Sequence, residues 1–143
     1  MAIKQLSVFV ENQKGKLSEI TELIANAGID MRAMSIADTS EFGILRLIVK
    51  KPEEVKSLLE KSGFISTLND VIGVEISDKP GGLAQIVSLF AANDINMEYM
   101  YAFLTRIEGK AYLVVRVDDT PAVEALLASE GIQMLSVSDI DNM

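Results

Sequence analysis

The chain has 143 residues and a formal net charge of -8, with neither histidine nor cysteine. Those two absences together remove imidazole acid–base chemistry, thiolate nucleophiles, disulfide frameworks and Cys/His metal sites. The acidic balance disfavours nucleic acid, which is held by clustered Lys and Arg. An apolar share of 49% identifies a folded globular chain.

The elements follow in order along the chain. Leu6, Val8 and Val10 alternate with polar or smaller residues and predict a half-buried first strand. A glycine-bearing turn follows. Leu17, Ile20, Leu23, Ile24 and Ala27 then recur three and four apart, predicting an amphipathic helix with Gly28 as its left-handed terminator. A second strand is expected over residues 31–37, a hairpin loop at 39–43, and a third, strongly apolar strand over 44–49. Pro52-Glu53-Glu54 opens a second helix, with acids at its positive dipole end, and Lys61 and Gly63 close it. A short strand near 64–68 completes the set.

The pattern then starts again. Val74-Glu75-Ile76-Ser77-Asp78-Lys79-Pro80-Gly81-Gly82-Leu83 repeats the layout of Val8–Leu17 about 66 positions later. Gly43 recurs as Gly109, Gly63 as Gly131, and Asp94 stands where Gly28 stood. The second copy predicts strands over 72–76, 98–105, 111–117 and 132–137, a helix over 83–90, another capped by Thr120-Pro121 and ended by Gly131, and a hairpin loop at 106–110. The order is βαββαβ twice, an α+β chain of two ferredoxin-like units. The expected domains are 1–69 and 70–143, meeting at Asn69-Asp70 with hardly any linker. Units so small have marginal cores, so the two are expected to pack as a pseudo-twofold pair, and dimerisation is expected too. A seam between two such copies is a natural place for a small ligand.

No apolar run approaches the ~18 residues of a membrane span, and the first residues alternate like a strand, not a signal peptide. A cytoplasmic protein with no membrane and no nucleic-acid partner is expected. Nor does the chain carry a nucleophile elbow, a Walker loop, a dinucleotide fingerprint or a metal-binding helix. The paired acids Glu53/Glu54 and Asp118/Asp119 sit at helix starts, where the dipole explains them. Tyr99, Tyr101 and Tyr112 fall on strands and read as sheet packing in preference to catalytic acids. No catalysis, cofactor or metal is expected.

A unit of this size whose first turn reads Asn/Asp-x-Pro-Gly-x-Leu, followed by a helix and Gly-(Ile/Val)-(Asp/Asn), resembles an ACT domain. Asp78-Lys79-Pro80-Gly81-Gly82-Leu83 matches that signature in full. Asn12-Gln13-Lys14-Gly15-Lys16-Leu17 matches except for Lys14 in the proline position. Leu6–Asn12 with Ala27-Gly28-Ile29-Asp30 is especially similar to the opening of acetolactate synthase regulatory subunits. A second ACT-like unit stands here where those subunits carry a different C-terminal domain. The resemblance implies an amino-acid sensor that controls a biosynthetic enzyme. It makes a branched-chain amino acid such as valine the first ligand to try, and an acetolactate synthase catalytic subunit one candidate partner.

An amino acid needs partners for a carboxylate, an ammonium and a side chain. The first turn leads into a helix N-terminus, where backbone N–H groups lack acceptors and the dipole is positive. Gly15, Gly81 and Gly82 have no Cβ and let the main chain approach a carboxylate. Asn12 and Asp78 are acceptors placed to take an ammonium. By the resemblance, residues just before the second strand of a neighbouring unit complete the site. Those are Asp30 and Asn96, followed by Met31 and Met97, whose thioethers can line a side-chain pocket. Lys14, Lys16, Leu17, Pro80 and Leu83 complete the candidate set.

Two other readings stay open. One is a structural module that has lost binding and only oligomerises or tethers an enzyme, supported by Lys14 in place of proline. The other is an enzyme of unrecognised kind on the same scaffold.

Overall fold

The computed structural model describes residues 2–38 and 41–143, so Thr39 and Ser40 of the expected hairpin loop lie outside the described residues. The chain divides into two compact units, Lys4–Asn69 and Asp70–Met143, the latter joined by residues 2–3.

In the first unit, β1 (Ile3–Glu11), α1 (Lys16–Asn26), β2 (Met31–Asp38), β3 (Phe42–Val49) and α2 (Pro52–Lys61) follow in order. β3 pairs antiparallel with β1, Leu47 opposite Leu6 and Leu45 opposite Val8, and on its other side with β2. The period-2 pattern of β1 puts Leu6, Val8 and Val10 on the face that receives Ile20 and Ile24 of α1 and Val55 and Leu59 of α2. The backbone N–H of Phe9 donates to the carbonyl of Ile65 at 2.9 Å. There the chain leaves α2 and enters β4 (Ser66–Ser77).

The second unit repeats the arrangement with α3 (Gly82–Ala92), β5 (Met97–Ala102), β6 (Lys110–Val117), α4 (Thr120–Ser129) and β7 (Met134–Leu135). β6 pairs antiparallel with β4, Val115 opposite Ile72 and Leu113 opposite Val74, and with β5. Ile86 and Phe90 of α3 and Val123 and Leu127 of α4 close on that face. Both units are thus ferredoxin-like α+β units. Gly28 (φ 72°) and Asp94 (φ 55°) are both left-handed after their helices, as the sequence spacing predicts.

The structure departs from expectation in four places. The strands expected on either side of Asn69-Asp70 are one strand, β4. The two polar residues stay extended because both have partners: the Ser7 hydroxyl donates to Asn69 Oδ1 at 2.7 Å, and Arg116 Nη1 donates to the Asp70 carbonyl at 2.6 Å. Phe42, Gly43 and Lys110, read as loop, are already strand, while β5 stops at Ala102, short of the expected 105. α4 is capped not by Thr120 but by Asp119, whose Oδ1 accepts from the Ala122 N–H at 3.2 Å.

The last difference is the largest. The strand expected over 132–137 is the two-residue β7, after which the chain turns into α5 (Val137–Asn142). Ser136 and Asp139 form a capping box: Ser136 Oγ accepts from the Asp139 N–H at 3.1 Å, and the Ser136 N–H donates to Asp139 Oδ2 at 2.7 Å. Ile140, 4% exposed, anchors the helix.

Ser136→Ala removes that reciprocal cap and is expected to cost about 1 kcal/mol in urea denaturation. The Asp139 carboxyl lies below its ordinary value because the backbone N–H and then the hydroxyl of Ser136 bond its charged form. Its contribution is present above the unfolded carboxylate range and is lost as pH falls through the lowered folded value. Asp139→Asn should therefore flatten the acid limb of stability against pH.

Candidate functional site

The turn after β1 and its counterpart after the β4 strand have one backbone geometry. Lys16 N–H donates to the Gln13 carbonyl at 3.3 Å, and Gly82 N–H to that of Lys79 at 3.0 Å. Gly15 (φ 85°, ψ -10°) and Gly81 (φ 90°, ψ -11°) occupy the third turn position. Those are the values of a type II turn, which needs positive φ there and favours proline just before it. Pro80 is that proline; Lys14 fills the place in the first unit without changing the turn. Asn12 N–H donates to the Glu41 carbonyl at 3.0 Å and Asp78 N–H to that of Gly109 at 3.1 Å, so each turn is pinned to the hairpin loop beside it.

Each helix starts directly from its turn glycine: Glu19 N–H donates to the Gly15 carbonyl and Gln85 N–H to that of Gly81, at 2.9 and 3.0 Å. Neither helix has a side-chain cap. The next N–H groups, of Leu17 and Ser18 and of Leu83 and Ala84, therefore remain at the positive end of the dipole, suited to a carboxylate. The three glycines do different work. A Cβ on Gly15 or Gly81 would meet nothing within 4 Å, so both leave open space before the helix. A Cβ on Gly82 would stand 2.0 Å from the Ser77 carbonyl oxygen; its missing side chain admits the protein's own backbone.

Beside each turn lies a cavity, and the two correspond position for position. In the second unit it has a volume of 300 Å³ and is lined by Glu75, Ile76, Ser77, Gly82 and Gln85 with Gly131, Ile132 and Gln133. In the first it has 260 Å³ and is lined by Phe9, Val10, Glu11, Lys16 and Glu19 with Gly63, Phe64 and Ile65. The backbones match and the chemistry does not. Phe9 stacks at a tilt on Phe42, ring centroids 6.1 Å apart. The position of Phe9 is Glu75 in the second unit, paired with Lys110 at 3.2 Å. The first cavity offers an aromatic wall, an ammonium (Lys16) and two carboxylates (Glu11, Glu19); the second sets Glu75, Ser77, Gln85, Lys110 and Gln133 among isoleucines. Sequence reasoning missed Phe9, Glu11, Glu19, Glu75 and Gln85, although the repeat alignment already paired them.

Within a unit the turn and the second-strand residues do not meet. The eleven residues of α1 or α3 separate them by about 16 Å. Asp30 binds Arg32, Oδ2 to Nη1 2.8 Å, while Met31 and Met97 pack against the two cores. Asn96 lines a separate cavity of 370 Å³ with Asp94, Asp118 and Asp119. Leu17 and Leu83 stand 38% and 40% exposed on the first helical turns.

The ACT domain pair family matches residues 1–143. The chain belongs to that family. Protein BT0572 from Bacteroides thetaiotaomicron is 33% identical over 100% of this chain and 98% of its own, with a TM-score of 0.93. The regulatory subunit of aspartate kinase from Thermus thermophilus is 18% identical over 90% of each chain at a TM-score of 0.68. That of Thermus flavus is 18% identical over 87% and 88% at 0.62. At such identities these two share the fold with the ACT pair. No curated protein sequence matches the ACT pair.

Gly82→Ala should destabilise the ACT pair by more than about 2 kcal/mol, since backbone must move to admit the Cβ. Gly81→Ala, which meets only the left-handed φ, should cost about 1–2 kcal/mol. Urea denaturation of both variants reads the difference.

Proposed function

We propose that this ACT pair is a non-catalytic regulator that binds a free amino acid and controls an amino-acid-biosynthetic enzyme. ACT domain pairs are typical of amino-acid-sensing regulatory proteins, and the family match spans the whole chain. The observation that carries the reading is the uncapped helix start behind a type II glycine turn, present in both units. Its N–H groups receive the ligand carboxylate, and Asn12 and Asp78 flank the turn where an ammonium would lie. The ligand sits at an interface of ACT units, where Asp30, Met31, Asn96 and Met97 belong to the reading as the partners supplied by a neighbouring unit.

The protein acts in the cytoplasm as a homodimer. Among the described residues no helix is long and apolar enough to cross a membrane. Valine is the first ligand to test and an acetolactate synthase catalytic subunit the first partner, on the resemblance of residues 6–12 and 27–30. The structural alternative rests on Lys14, yet the first turn keeps the backbone of the second.

A thermal-shift screen against the twenty amino acids tests the reading. A ligand at ~100 times its Kd adds about 2.7 kcal/mol, a shift of many degrees in a domain this small. A rise with one amino acid, lost in Asp78→Ala or Asn12→Ala, is the expected outcome. No rise with any of them at millimolar concentration would leave the structural module as the better account.

A further inference from the structure

The second unit departs from its repeat where the chain turns back as α5, and a cavity lies against that helix. It has a volume of 450 Å³, within the range of small-molecule sites. Its floor is the cross-strand pair Glu75 and Tyr112, directly opposed on β4 and β6. Its apolar walls are Ile107, Met134 and Leu135, and α5 contributes Asp139. Leu135 is seated against Gly73, where a Cβ would stand 2.9 Å from its own, so β7 and the α5 that follows are held close to β4.

We propose that this cavity binds a small primary amine with an apolar body and no carboxylate. Two carboxylates and a phenol face it, and no ammonium or guanidinium lies among its described lining residues. Lys110, which lines the neighbouring cavity beside the glycine turn, pairs with Glu75 at 3.2 Å, and a carboxylate has acceptor sites to spare for a second cation. Tyr112 is 6% exposed. Burial and then the Glu75 carboxylate raise its pKa, so the phenol stays neutral and its hydrogen bond to Glu75 leaves its own oxygen lone pairs to accept. A free amino acid would place its carboxylate against Glu75 and Asp139, and like charge rejects it. The site shares Glu75 and Gln133 with the cavity beside the second glycine turn and differs from it in Tyr112, Asp139 and the lack of a helix N-terminus in its lining. The first unit cannot build it: Phe9 stands at the position of Glu75, Ile65 at that of Gln133, and the chain there runs on as β4.

The test is a titration of the intact 15N-labelled protein with isoamylamine, and in parallel with 4-methylpentanoate, which has the same body and the opposite charge. Saturable amide shifts over residues 103–112 and 133–143 with the amine alone are expected. Glu75→Gln should weaken binding at least about tenfold and Tyr112→Phe about fivefold. Ile107→Trp, at a residue 47% exposed that tolerates substitution, fills the mouth and should abolish binding. Gln85→Trp fills only the cavity beside the glycine turn and should leave amine binding intact. Equal binding of the carboxylate, binding that survives Ile107→Trp, or no saturable shift with the amine would each overturn the assignment. A positive thermal shift with an amino acid that persists in Ile107→Trp keeps the sensor reading standing whatever happens here.

Discussion

The positive φ of Gly15 and Gly81 is the constraint on which the functional geometry depends. A β-carbon at either position would resist that conformation by about 1–2 kcal/mol, and without it the strand could not turn so abruptly into a helix. Because the helix begins on the turn glycine itself, the residue that would ordinarily bring a capping hydroxyl or carboxylate is one without a side chain. The helix starts with its first donors unanswered. Of the other helices, α4 is closed by Asp119 and α5 by Ser136, while α2 also starts without a side-chain cap, after Lys51. The same chain can therefore satisfy helix starts, and at the two turns it leaves them open.

The duplicated backbone has been kept while its chemistry diverged. Gly82 must be glycine because the Ser77 carbonyl occupies the place of its Cβ. The equivalent residue of the first unit, Lys16, carries a full side chain. That one exchange places an ammonium beside the first cavity and none at the same position of the second. Phe9 against Glu75 does the same on the strand. Beside two equal turns the cavities are in this way lined by residues of different polarity.

Periodicity made most of the fold legible. The alternation of Leu6, Val8 and Val10 and the three-and-four spacing from Leu17 to Ala27 depend only on which face is buried, and tertiary packing agreed with them. Expectations failed where a polar residue had a distant partner. Asn69 and Asp70, where the two units do divide, read as a break between two strands because nothing nearby in sequence announces Ser7 or Arg116. α5 was legible in principle: Ser136-Val137-Ser138-Asp139 has the spacing of a capping box, but the apolar residues before it favoured a strand. Of the candidate site, the turns were visible as glycine and proline. The cavity linings were not, because they come from the strand residues that point away from the period used to find the core.

α5 shows what a broken repeat can add. In the first unit the chain after α2 runs on as a long strand, and the positions beside it are apolar and exposed, Phe9 at 45% and Ile65 at 68%. In the second the chain stops after two paired residues, caps itself and folds back. The positions that were Phe9 and Ile65 are there Glu75 and Gln133. An apolar surface under α5 would have packed dry against Ile140 and left no space. Charged and amide side chains instead line the space beside the helix, since a carboxylate paired with Lys110 resists being stripped of solvent and buried. The cavity follows from that substitution together with the cap, and neither alone would produce it.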